Sequence, residues 1–455
     1  MTEQDLIAAL QQQLSQQANV TTRPVTVAGS HYPYQPLPEL GQGFSGFCEA
    51  FNSTIAPQLS ASNGPRYWGF VTGGANPVAT YADWLVSSFN QNVSKGGDSI
   101  ASTIERHTVR WLTELFALPS QFDGLFTTGA TSANVLGALT ARQFAGQQQG
   151  INVALQGFYG VACQVFSATP HASMQKALGF AGFGQQQCQQ VARLAGTEAM
   201  DVADLAAQLA AHQRNNPAST AIVIASAGTV TGTDYDDLVA IAALCHEYQT
   251  WLHVDAAFGI FERLVFGADG KTQGLEFADS ITLDCHKWLN VPYDCGVFLT
   301  QHIDVLKATC HVDAPYLAND DDEIPFMSLG IENSRRFRAL PAFATLYTYG
   351  KAGIKTQIEK NMNQAKQLAD WLAQSQAYQL LKPCELNVVV FALKHGDDAQ
   401  VRQLLADINA TQQVFMTPGR WQGRAAIRAA FSNWSTTDED VALVIKLLGE
   451  LAERL

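Results

Sequence analysis

Two apolar runs of strand length, Ala221 to Ser226 and Trp251 to Ala256, flank a segment that reads as a helix. That segment, Tyr235 to Gln249, carries Asp236 and Asp237 in its first turn and apolar residues on one face. Acidic groups suit the positive end of a helix dipole, and a one-sided apolar stripe is what a helix lays against a core. Strand, helix and strand in that order predict a parallel sheet, because parallel neighbours need a crossover of this length. Leu125 to Thr128, Ser280 to Leu283 and Gly296 to Leu299 are further strand candidates. Beyond Pro341 the pattern changes to helices (Ala342 to Tyr349, Gln357 to Ser375), a strand (Asn387 to Leu393) and a closing helix from Asp438 to Leu455. The fold class expected is therefore α/β, with a mostly parallel central sheet and a small C-terminal α+β domain. Residues 1–65 read as an N-terminal arm and dimerisation segment, with an amphipathic helix (Leu6, Leu10, Leu14) and then Pro33, Pro36 and Pro38. Residues 66–312 form the large domain, 313–340 a mobile acidic loop and linker, and 341–455 the small domain.

Composition narrows the partners. With 47% apolar and only 15% charged residues the chain is a compact, packed protein and not a disordered one. A formal net charge of -13 repels nucleic acid and anionic membranes, which leaves small molecules as ligands. There is no uninterrupted apolar stretch of about twenty residues, and Thr2 to Asn19 is polar and glutamine-rich, so a cytoplasmic location is expected. The eight cysteines are scattered without a metal-binding or redox spacing, so they are expected to be free, mostly buried thiols, and no metal site is expected.

The chemistry concentrates in the loops after the strand candidates. Asp284-Cys285-His286-Lys287-Trp288 ends one apolar run and His253-Val254-Asp255-Ala256-Ala257 ends another. A lysine so placed is suited to a Schiff base with an aldehyde, and an aspartate to pairing with a protonated pyridine nitrogen, which together point to pyridoxal 5'-phosphate. Thr127-Thr128-Gly129-Ala130-Thr131-Ser132-Ala133-Asn134 follows a strand and opens an apolar helix, Val135 to Phe144. Its N–H groups and the Thr131 hydroxyl suit a phosphate at a helix N-terminus. His171 offers an imidazole to stack on the pyridine ring, and Thr229, in the loop after Ala221 to Ser226, a hydroxyl toward the ring oxygen or phosphate.

The order and spacing of these elements resemble the group II pyridoxal-phosphate-dependent amino-acid decarboxylases, which include the aromatic-L-amino-acid, glutamate and diaminobutyrate decarboxylases. The resemblance runs from about Arg66 to Asp440 through Gly69-Phe70-Val71-Thr72-Gly73-Gly74, Thr128 to Asn134, Pro170-His171, Gly228-Thr229, His253 to Ala257, His286-Lys287-Trp288-Leu289 and Ser334-Arg335-Arg336-Phe337. It implies fold type I, like aspartate aminotransferase, as a homodimer with shared active sites. It implies Lys287 as the Schiff-base lysine, Asp255 as the pyridinium partner, His171 as the stacking residue, Ala130 and Thr131 as phosphate binders, Thr229 and Ala257 as ring contacts, and His286 at the cofactor face or phosphate.

The activity implied is decarboxylation of an L-amino acid, aromatic favoured, to an amine and CO2. Trp68 and Phe70 fall where the family lines its side-chain pocket, and Arg428 where its C-terminal domain faces the site. Ungapped counting places Phe326 at the family's proton-donating tyrosine, with Tyr316 the other candidate donor. Phenylalanine at that place goes with oxidative deamination to an aldehyde, so aldehyde formation or carbon–carbon lyase chemistry stays open beside decarboxylation. A PLP-binding protein without catalysis is the third reading. Arg335, Arg336 and Arg338 are expected in structural ion pairs.

Overall fold

The computed structural model describes residues 3–17, 23–27, 29–311 and 324–453. They form two compact units, 71–363 and the combination of 1–70 with 364–455. Tyr316 and the acidic run Asp320 to Glu323 lie outside the described residues.

The larger unit is built on seven strands: β1 (Asp123–Thr127), β2 (Cys163–Ser167), β3 (Cys188–Gln190), β4 (Thr220–Ser226), β5 (Trp251–Asp255), β6 (Ser280–Asp284) and β7 (Gly296–Thr300). Their spatial order is β1-β7-β6-β5-β4-β2-β3. Only β7 runs against its neighbours, pairing antiparallel with β1 and β6, while β2 to β6 pair in parallel. The central strands β4 to β7 are buried along their whole length, as strands covered by helices on both faces are. On one face the helix Ala130–Gln148 packs Val135, Ala138 and Ala141 against Val165, Ile222, Ile224 and Trp251.

In the smaller unit four antiparallel strands, β8 (Tyr378–Leu380), β9 (Val388–Leu393), β10 (Thr417–Trp421) and β11 (Arg424–Ala430), take the order β10-β11-β9-β8. The helices Asp398–Ala410 and Asp438–Ala452 each start with a reciprocal capping box, on Asp397 with Gln400 and on Thr437 with Asp440. Their apolar faces cover Val389, Phe391 and Ile427 of the sheet.

The expected domain limits shift in two places. The first seventy residues are part of the small unit, tied to it by backbone bonds from Val25 N–H to the Gln412 carbonyl, Trp68 N–H to the Phe415 carbonyl and Ala430 N–H to the Trp68 carbonyl. The two helices expected after Pro341 are present within the stretch Ala339–Gln374, parted by a kink at Gly350, whose φ of 59° and ψ of 179° break the helical path. The division between the units therefore falls at Asn363 and Gln364, inside that stretch, and not at 341.

The thiols are less buried than expected. All eight cysteines are free, but only Cys245, Cys285 and Cys295 are buried and the other five are half-buried.

Candidate active site

In a parallel sheet the loops at the carboxyl ends of the strands converge on one edge, where ligands bind. Asp255 is the last residue of β5, Asp284 the last of β6, and Thr127 the last of β1, which runs the same way. His286 and Lys287 follow β6, Ala257 follows β5, Thr229 follows β4, and His171 follows β2. The cofactor-binding candidates of the large unit are thus gathered on one edge by topology alone.

Asp284 is the centre of the lysine side of this edge. One of its carboxylate oxygens accepts from the Ala130 N–H at 2.6 Å, at the N-terminus of the helix Ala130–Gln148. The other lies 3.2 Å from Lys287 Nζ and 3.5 Å from His286 Nε2. The cradle is open to such an approach because Gly129 takes φ 148° and ψ 175°, a conformation that side chains other than glycine's avoid. Burial pushes the His286 imidazole below its ordinary range, against the pull of the Asp284 charge. Its Nδ1 accepts from the Cys295 N–H, which leaves Nε2 as the protonated nitrogen facing Asp284. Lys287 Nζ also stands 5.8 Å above the Phe258 ring.

On the Asp255 side, the carboxylate is buried and accepts from Asn134 Nδ2 at 3.0 Å and from the Ala257 N–H at 3.3 Å. Ala257 thus braces the aspartate through its backbone. His171 caps the helix Ala172–Phe180, its Nδ1 accepting from the Ser173 N–H and meeting the Ser173 hydroxyl at 2.7 Å. Thr131 lies exposed in the first turn of its helix. Thr229 is used differently from the expectation. Its hydroxyl donates to Glu198 at 2.6 Å and accepts from the Asp234 N–H, so its proton is committed to a loop carboxylate.

His253, two residues before Asp255 and on the same face of β5, is fully buried. Its Nδ1 meets the Ser280 hydroxyl at 2.8 Å and its Nε2 the Asn134 amide oxygen at 3.0 Å. Burial pushes its imidazole down from 6.5 to about 4, partly opposed by the Asp255 charge. The neutral ring is the folded form, so its contribution to stability is complete above pH 6.5 and is lost as pH falls toward 4. That loss is about 3 kcal/mol, and a His253→Gln variant is expected to show a flatter urea-midpoint profile between pH 7 and 4.5 than the parent. The helix Ala130–Gln148 passes the ring at Gly137, where a Cβ would come within 2.4 Å of His253 Cε1. Gly137→Ala is therefore expected to lower stability by about 1–3 kcal/mol in urea denaturation, although alanine is the better helix former.

Phe326 is fully buried in a short 3-10 turn, with the Arg106 guanidinium 4.7 Å and the Arg335 guanidinium 4.8 Å from its ring centroid. A ring so enclosed is core packing. Trp68 is also fully buried, its ring centroid 4.3 Å from that of Phe431 in a tilted contact and its indole N–H on the Pro65 carbonyl, so it too is a core residue of its unit. Arg428 is buried on β11 and donates to the Thr417 hydroxyl. Phe70 alone of these four is exposed, at 57%, beside Phe415. Arg335, Arg336 and Arg338 form ion pairs with Glu105, Asp83, and Glu332 with Asp294, respectively, as expected.

Residues 35–394 match the pyridoxal-dependent decarboxylase conserved domain. The chain belongs to the pyridoxal-dependent decarboxylase family. Among its relatives is an aromatic-L-amino-acid decarboxylase of Bacillus atrophaeus, 28% identical over 435 residues that span 92% of this chain and 88% of that protein. A 3,4-dihydroxyphenylacetaldehyde synthase of Drosophila melanogaster is 29% identical over 224 residues, 48% of this chain and 44% of that protein. The fold matches the crystal structure of Oryza sativa TDC, solved with PLP and tryptamine, with a TM-score of 0.90 at 21% identity, covering 100% of this chain and 99% of that one.

The family is pyridoxal-dependent, and the residues present fit pyridoxal 5'-phosphate. The Ala130 N–H, Lys287 and His286 already surround the Asp284 carboxylate, so this helix end takes negative charge. Asp255 supplies a buried carboxylate for a ring N–H. Thr282, its register partner on β6, holds a buried hydroxyl that no described protein group satisfies, as a polar ligand atom would. Lys287 would carry the cofactor, the turn at Gly129 and Ala130 its phosphate, and Asp255 its ring nitrogen.

Proposed function

We propose that this protein decarboxylates an L-amino acid, with an aromatic side chain favoured, to the amine and CO2. The observation that carries the reading is the placement of a lysine and a buried aspartate on the ends of adjacent parallel strands, beside a helix N-terminus that takes an anion. When bound, pyridoxal 5'-phosphate supplies an electron sink for the pair left behind as CO2 departs. Asp255 would hold a proton on the ring nitrogen and so keep that sink electron-poor. Lys287 would hold the cofactor covalently between turnovers, with Asp284 3.2 Å from its Nζ. His171 would offer its imidazole to the face of that ring. Support for an aromatic side chain comes from the Bacillus atrophaeus relative.

A second reading, oxidative deamination to an aldehyde, is favoured by the Drosophila melanogaster relative. Incubating the PLP-loaded protein with a panel of L-amino acids while following CO2 and peroxide together separates the two. CO2 with amine and no peroxide is expected; aldehyde with peroxide would move the protein to the second reading. The same proposal makes the protein a cytoplasmic homodimer, and light scattering of the loaded protein is expected to give twice the 49.3 kDa chain mass. No helix among the described residues is long and apolar enough to cross a membrane.

A further inference from the structure

His171 and Asp255 come from different strands, yet one side chain joins them. Asn134 is fully buried and gives one amide hydrogen to Asp255 at 3.0 Å and the other to the Ser173 hydroxyl at 3.1 Å. The Ser173 hydroxyl meets His171 Nδ1, which already accepts from the Ser173 N–H, so the hydroxyl donates to it. His171 is thereby fixed with its proton on Nε2. On the other side the Asn134 amide oxygen must accept, and the group that reaches it is His253 Nε2. That assignment leaves His253 Nδ1 to accept from the Ser280 hydroxyl, which in turn accepts from the Trp251 indole N–H at 3.1 Å. Only one set of proton positions satisfies every member from Trp251 to His171 and Asp255. It requires a neutral His253, which the dry pocket enforces, and a carboxylate at Asp255.

We infer that Asn134, held in one amide orientation by His253, is the positioning residue that sets the carboxylate of Asp255 and the tautomer of His171 together. A reversed amide would turn its oxygen toward the Asp255 carboxylate and the Ser173 hydroxyl, which has no second proton to give. Buried networks of this kind either satisfy every member or lose their geometry. The inference rests on the proposed roles of Asp255 and His171 toward the cofactor.

The test compares full-length, PLP-loaded Asn134→Leu, Ser173→Ala, His253→Leu and His253→Gln with the parent, reading both the visible absorption band and kinetics on an accepted amino acid. Asn134→Leu is expected to shift the band, which reports the ring's protonation, and to lower kcat by about a hundred-fold with KM held within about twofold. Ser173→Ala cuts only the His171 branch, so a fall in kcat of about ten-fold with an unshifted band is expected. His253→Leu is expected to act as Asn134→Leu does. His253→Gln retains an N–H for the Asn134 oxygen and an acceptor for Ser280, and so recovers the band and most of kcat. If Asn134→Leu does not fold, the Ser173 and His253 variants decide. A parental band and kcat in His253→Leu, a Ser173→Ala indistinguishable from the parent, or a His253→Gln no better than His253→Leu would overturn the inference. A band that persists in Lys287→Ala would instead remove the proposed roles on which it rests.

Discussion

Lys287→Ala is expected to lower turnover by about 10⁴-fold or more and to abolish the visible band of the loaded protein. The lysine amine is the only described group on this edge able to carry the cofactor covalently, and it sits 3.2 Å from Asp284 at the end of β6. Its loss leaves the anion cradle at Ala130 intact, so the variant is expected to retain weak, non-covalent affinity for pyridoxal 5'-phosphate. Added amines are expected to restore little, because the returning amine must stand on the same strand end to be in reach. Stability should change little, since Lys287 is only half-buried, and equal urea midpoints for variant and parent would show that the lost activity is chemical. Absorption and steady-state turnover on the same preparation make the check.

The second large effect is on stability, at the Glu105–Arg335 pair. Both side chains are excluded from solvent, at 0% and 1% exposure. Glu105 accepts two bonds from the guanidinium, at 2.6 and 3.2 Å, and one from the Phe126 N–H of β1. Arg335 also donates to the Val93 and Phe126 carbonyls and covers one side of Phe326. The pair thereby joins the helix Ala101–Leu115, β1 and the segment before Ala339. Glu105→Ala leaves a buried guanidinium without its counter-charge, and a loss of about 3–5 kcal/mol is expected in equilibrium urea unfolding. Removing both charges together, as Glu105→Leu with Arg335→Met, is expected to cost less than Glu105→Ala alone. The penalty lies in the orphaned charge more than in the missing attraction, and a double variant as unstable as the single one would contradict this account.

The central strands were legible because each is a largely apolar run of strand length, as in Ala221 to Ser226. β2 and β3 were not, since Cys163–Ser167 carries Gln164 and the edge strand Cys188–Gln190 is almost wholly polar. β10 contains Pro418 and Gly419, residues that argue against a strand unless it lies at an edge, where β10 does lie. The joining of the first seventy residues to the C-terminal unit rests on bonds between positions nearly four hundred apart, which no local pattern encodes.

The same distinction holds at the site. Lys287, Asp255, Ala130 and His171 were readable because each follows a strand and carries a side chain or turn with evident chemistry. Asp284 stood in the same run as Lys287, and its spacing of three residues was the signal that could have singled it out. Asn134 and His253 were inside recognised stretches, but their partnership spans 119 residues and forms only when helix and sheet pack at Gly137. Thr229 and Phe326 show the converse. A hydroxyl and a ring that looked available in sequence are consumed by Glu198 and by two guanidinium groups once the chain is folded.

The central claim is that the chemistry takes place on Lys287. Borohydride reduction of the PLP-loaded protein, followed by proteolysis and mass mapping of the modified peptide, tests it most directly. The account predicts a single phosphopyridoxyl adduct on the peptide that contains His286-Lys287-Trp288; an adduct confined to any other lysine would contradict it.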